Sequence, residues 1–161
     1  MSYVLRALIA SEKTLQPITH RYATAKLVAL RQGIGIIPLT HDLYAEIHAE
    51  EQGEDRVLPE SFQSLTSNIA LLAQGASTAG SIGYIEAEFF GGVGSQAAAL
   101  WRDGQIVYGP TVTGSEPDMP LLPMSEWAFN SVLRLLGVSA ADGIDEFATV
   151  GLGSHRDTGA W

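Results

Sequence analysis

Cysteine is absent from the 161 residues, which removes disulfides, thiolate metal sites, iron–sulfur clusters and a cysteine nucleophile from consideration. Basic residues are scarce, with nine Lys and Arg against 18 Asp and Glu and a formal charge of −9. Binding a phosphate backbone takes dense positive charge, so nucleic acid is excluded as the main partner. A long apolar run is missing as well. The longest uncharged stretch, Ser61 to Ile85, is broken by Gln63, Ser64, Ser67, Asn68, Gln74, Gly75, Ser77, Thr78, Gly80 and Gly83. No span of about 20 apolar residues therefore exists, and no membrane association is expected. The opening MSYVLRALIAS lacks the basic start, long apolar core and small-residue cleavage site of a secretory signal. A cytoplasmic setting is the expectation.

What the chain does have is globular composition, 46% hydrophobic with 17% charged, at a length that suits one domain over residues 1–161. Its charge is unevenly spread. Residues 1–34 hold five basic groups and one acidic, a net +4, whereas residues 35–161 hold four basic and 17 acidic, a net −13. Either the basic segment folds against the acidic remainder, or an acidic face is left for a basic partner.

Hydrophobic patterning suggests an α+β fold, a mostly antiparallel sheet of five or six short strands with about four helices. Tyr3 to Ala10 is β-compatible, and Lys26 to Leu39 reads as two short strands meeting near Arg31 to Gly33. Glu12 to Ala25 contains Pro17 and shows no firm period. Thr40 offers an N-cap hydroxyl for a helix running to about Glu51, with Leu43 and Ile47 inward. On another face of that helix Asp42, Glu46 and Glu50 form an i, i+4, i+8 row of like charge, which local energetics weakly disfavour. Gly53 to Pro59 reads as a charged linker, and apolar positions 62, 65, 69 and 72 mark a helix from Phe62 to Gly75. Ser81 to Phe90, Gln96 to Arg102 and Gln105 to Tyr108 form a meander, the last pair joined by the hairpin signal Asp103–Gly104. Helices follow at about Ser125 to Leu136 and Asp142 to Thr149.

Several chemical signatures can be weighed against this frame. Gly92, Gly94 and Ala97 spell G-x-G-x-x-A after a strand, the outline of a dinucleotide-binding turn. The preceding strand carries Glu86 and Glu88, and a DG hairpin follows too soon for a crossover helix, so a hairpin end is the better reading and no cofactor is expected. His41 and His48 are seven apart, not the i, i+3 or i+4 spacing of helical metal ligands, and no metal is expected either. Neither H-E-x-x-H, G-x-x-x-x-G-K-[ST] nor G-x-S-x-G occurs. Glu86 and Glu88 share a strand face about 7 Å apart, with Tyr84 and Phe90 beside them. Such a pair can do acid–base work, hold a cation or dock an Arg.

The segment GYIEAEFFGGVGSQAAALWR (residues 83–102) and DEFATVGLGSHR (145–156), with YVLRALIAS and GIGIIPLTHDLY, resemble a group of small bacterial proteins of about this length with no assigned activity. The resemblance implies a bacterial, cytoplasmic setting and carries no catalytic role. In style such acidic proteins are similar to immunity proteins that neutralise toxins.

Two classes of function, and a third, follow. The first is a protein-binding module, of the immunity type, offering Asp42, Glu46, Glu50, Glu86 and Glu88 to a basic partner with Tyr84 as aromatic anchor. The second is a small enzyme built on Glu86, Glu88 and His155 around the Gly91 to Gly94 turn, which requires those three side chains to converge. The third is an oligomeric structural component, since exposed strand edges cannot be located from sequence.

Overall fold

The first strand, β1 (Ser2–Ser11), ends where Ser11 caps the helix α1 (Glu12–Arg21), its hydroxyl accepting from Thr14 N–H at 3.3 Å. The computed structural model in which these elements are seen describes residues 1–49 and 61–161. β2 (Val28–Ala29) and β3 (Ile34–Pro38) follow, then α2 (His41–Ala49), whose start is capped by Thr40 as expected. The linker at Gly53 to Pro59 and the far end of the α2 acidic row, Glu50, lie outside the described residues. After α3 (Ser67–Ala76) the meander comprises β4 (Ile82–Phe90), β5 (Val93–Arg102) and β6 (Gln105–Gly114). α4 (Ala128–Leu135) and α5 (Glu146–Val150) complete the regular structure.

The six strands form one antiparallel sheet in the order β2-β3-β1-β4-β5-β6. The α+β class and the mostly antiparallel sheet are those expected. Both faces of the sheet are covered by helices. Leu8, Ile37, Ile82 and Tyr84 meet Leu15, Leu43 and Ile69 from α1, α2 and α3. On the reverse face Leu5, Ile9, Ile85 and Leu100 meet Phe129, Val132 and Val150 from α4 and α5. This explains why β1 reads as nearly continuous apolar sequence, because a strand buried on both sides has no polar face to alternate with.

Three elements depart from expectation, the first being β6, which runs past Tyr108 to Gly114 because residues 111–114 go on pairing with β5. Glu12 to Arg21 is helical despite Pro17, since the Ser11 cap and the buried stripe Thr14, Leu15 and Ile18 outweigh one lost backbone bond. α3 begins at Ser67 and not at Phe62: Thr66 Oγ1 accepts from Ile69 N–H and sets the start, while Phe62 and Leu65 are buried from the preceding irregular segment.

Helix α4 has no side-chain cap of its own at Trp127. Its leading amides are met by the sheet instead, Ala128 N–H donating to Thr113 Oγ1 (2.9 Å) and Phe129 N–H to Gln96 Oε1 (2.6 Å). The residues after α5 also return to the sheet. β3 pairs with β1 only over residues 7–11, and the vacant side of β1 is taken by the tail, with Val4 N–H donating to Arg156 O at 2.9 Å and Arg6 N–H to Thr158 Oγ1 at 3.1 Å. At the other side of the sheet β6 is an outer edge in which Pro110 leaves a gap in the row of N–H donors, a feature that discourages strand addition. No helix among the described residues is long and apolar enough to cross a membrane.

Candidate functional site

Alternation along β4 sends Tyr84, Glu86, Glu88 and Phe90 to the face that carries α1, α2 and α3. Helical cover reaches only the near part of that face. Tyr84 is fully buried and Glu86 only 7% exposed, while Phe90, at the hairpin end, is 59% exposed. A groove of about 250 Å³ opens at this boundary, with Arg6, Phe62, Gln63, Glu86, Glu88 and Val112 on its walls.

Glu86 is committed to structure. Its carboxylate accepts from Gln63 N–H (2.5 Å), Ser64 N–H (3.0 Å) and Tyr84 O–H (2.7 Å), so it fastens the segment leading into α3 onto the sheet. Tyr84 is therefore not the exposed anchor expected of it: its ring packs edge-on against Phe62 at 5.3 Å inside the core. Burial, and secondly the charge of Glu86, push the Tyr84 phenol far above its usual range, so it remains a donor at any working pH.

Glu88 is different. Its carboxylate stands 4.0 Å from the Arg6 guanidinium, with the two side chains 41% and 36% exposed, a long and solvent-screened contact that leaves both groups available. Arg6 faces Glu86 across the β1–β4 ladder and is the single charge in an otherwise apolar strand. That isolation in YVLRALIA was a legible signal that sequence reasoning passed over. Exposed Phe90, Val93 (52%) and Val112 (37%) flank Glu88 on the same face, Val93 paired with Phe90 and Val112 with Ala97.

The remaining expected site residues are dispersed. Asp42 is exposed at the start of α2. Glu46 reaches back to the chain after α1, accepting from Ala23 N–H (2.6 Å), Thr24 N–H (2.9 Å) and the Thr24 hydroxyl. These bonds, that of the Thr24 hydroxyl first, hold its carboxyl below the ordinary 4.5. A depressed carboxyl stabilises the fold in full above that ordinary value and loses its contribution as pH falls through the lowered one. The amide resonances of Ala23 and Thr24 are thus expected to titrate together with a midpoint below 4.5, and a midpoint at or above 4.5 would contradict the bonding.

His155 does not join the glutamates. Its ring meets Trp161 edge-on at 4.8 Å, and Trp161 packs against the core on the opposite face of the sheet. The convergence that an enzyme built on Glu86, Glu88 and His155 requires is not made, because the tail follows β1 on the side away from β4. Of the helical histidines, His48 is engaged at both ring nitrogens, by Tyr44 O and Thr66 Oγ1, each at 2.6 Å. The G-x-G-x-x-A residues form the β4–β5 hairpin end, with Gly91 and Gly92 in the turn and Gly94 onward in β5. The basic N-terminal segment is partly spent inside the fold: besides Arg6, Lys26 Nζ donates to Trp161 O (2.8 Å) and Arg31 to Thr149 O (3.5 Å).

No protein-family model matches this chain, and no curated protein and no solved structure is similar to it at a significant level.

Proposed function

We propose that this chain is a protein-binding module whose contact surface is the open end of the sheet around Glu88, and that its partner presents a basic side chain there. The observation that carries this reading is the half-exposed Glu88 carboxylate set among exposed Phe90, Val93 and Val112. Apolar area excludes water around one charge, the composition of a specific contact centre. The chain's net charge of −9 would draw in a basic partner and speed its approach. An immunity-type inhibitor of a basic toxin is the specific form of this reading. Of the surface expected from sequence, which joined the α2 row to Tyr84, Glu86 and Glu88, the contact narrows to the sheet at Glu88. Glu46 and Glu86 are reserved for internal bonds.

A photo-crosslinking residue at position 93 tests it. The expected product is a single partner linked through a segment rich in Lys or Arg, its yield falling at least about tenfold in Glu88→Lys, in line with the loss of a close charge pair at an interface. The same yield from Glu88→Lys, or an equal loss from Asp142→Lys, exposed in the loop that leads into α5 on the opposite face, would overturn the assignment.

A further inference from the structure

On the opposite face of the sheet, five rings (Tyr3, Phe89, Trp127, Phe129 and Phe147) wall a second cavity of about 250 Å³. The rings fix one another. Phe89 and Trp127 stack at 5.8 Å with their planes 10° apart, and Tyr3 meets Phe147 edge-on at 5.7 Å. The Tyr3 hydroxyl is tied to Leu152 O at 3.0 Å and the Trp127 indole N–H to Leu122 O at 3.2 Å, so the walls stand without a ligand.

The polar groups of this cavity divide by what they have left to give. Asn130 is spent: its amide N–H groups donate to Met124 O and Asp145 Oδ2, and its oxygen accepts from Phe147 N–H. Asp145 is occupied by that bond and by capping Ala148 N–H at the start of α5. Gln96 is not spent. Its side chain is only 8% exposed, and because Oε1 accepts from Phe129 N–H the amide orientation is fixed. Its Nε2 has no hydrogen-bond partner among the described residues, yet it is not closed off within the protein. An amide donor held in a fixed orientation at the cavity wall, with no protein acceptor of its own, is available to an acceptor on a ligand. The Arg156 guanidinium is the other free group: its main chain is pinned to Val4, its side chain is exposed, and no ion pair holds it among the described residues.

The lining groups with no partner among the described residues are thus two donors, one neutral and one cationic; the Asp145 carboxylate, the one negative charge on the lining, is engaged by Asn130 and Ala148, and most of the remaining wall is ring surface. The geometry points to a binding site for a small ring-bearing organic acid, its ring held among Phe89, Trp127 and Phe129 and its carboxylate received by Gln96 Nε2 and Arg156. Aromatic walls with a few convergent donors are the composition of a small-molecule site, and guanidinium with amide is a fitting pair for carboxylate oxygens. The volume suits one ring with a short acidic arm. The site lies across the sheet from Glu88, so it stands or falls independently of the proposed protein contact.

The probe is phenylacetate, titrated into the ¹⁵N-labelled full chain, with phenethylamine as a partner of the same ring and opposite charge. Phenylacetate is expected to give saturable shifts at the Gln96 side-chain amide and the Trp127 indole, with phenethylamine at least about tenfold weaker. Gln96→Glu keeps an acceptor for Phe129 N–H but turns the open donor into a negative charge, and is expected to weaken binding by about tenfold or more. Arg156→Gln, on an exposed side chain that does not threaten folding, is expected to weaken it about fivefold or more. Absence of saturation at these two resonances, equal binding of phenethylamine, or wild-type affinity in Arg156→Gln would each overturn the site. The arginine variant decides the matter if Gln96→Glu does not fold.

Discussion

Glu86→Ala is expected to lower the unfolding free energy by about 3–5 kcal/mol, the range for removing one partner of a buried charged network. The substitution strands three donors at once, the backbone N–H groups of Gln63 and Ser64 and the Tyr84 hydroxyl. None of the three has a second acceptor among the described residues, and water reaches Glu86 over only 7% of its surface. Urea unfolding provides the measurement. Glu86→Gln should recover part of the loss, because one amide oxygen still accepts while the new NH₂ faces a donor. Glu88→Ala, two residues along the same strand face, should stay within about 0.5 kcal/mol of the parent, since its one ion pair is long and exposed. Equal stability of Glu86→Ala and the parent would show that the segment before α3 is held by something else.

Gly94→Ala is expected to cost about 3 kcal/mol or more, at the upper end of what overpacking produces. A methyl group built on Gly94 would lie 2.0 Å from Glu88 O and 2.7 Å from Phe89 Cα, atoms of the neighbouring strand that have no side-chain freedom with which to yield. Gly92 is the instructive control. A methyl there meets nothing within 4 Å, so its cost is confined to the left-handed backbone at φ +82°, about 1–2 kcal/mol. Two glycines of one G-x-G motif are thus required for different reasons, one for a close approach of strands and one for a turn. Neither reason involves a pyrophosphate. Near-equal losses for the two alanine variants would contradict the separation.

What could be read in the sequence is what local chemistry decides. Thr40 as a cap, the β4–β5–β6 meander and the Asp103–Gly104 turn depend on neighbours within a few residues. The turn has positive φ at both positions, 51° and 77°, as its two residue types favour. α1 was obscured because Pro17 is a local signal against helix, whereas the stripe that stabilises it is satisfied only by the sheet. The candidate site was half legible. The shared face of Tyr84, Glu86 and Glu88 follows from the strand period of two, but which of them water would reach depends on Phe62 and on the Gln63 and Ser64 amides, 23 and 22 residues before Glu86. Nothing near residue 86 announces that. His155 was misplaced for a similar reason: its position is set by the tail's pairing with Val4, some 150 residues earlier in the chain.

That pairing has a consequence for how the molecule comes into being. β1 is central, its residues Leu5 and Ala7 to Ala10 have no exposed surface, and its neighbours are β3, residues 82–90 of β4 and the tail at 156–158. During synthesis it leaves the ribosome as an apolar segment whose last hydrogen-bond partner is made some 150 residues later. The sheet is therefore assembled around its first strand and closed by residues made some 150 positions later, a contact of high sequence separation of the kind that slows folding.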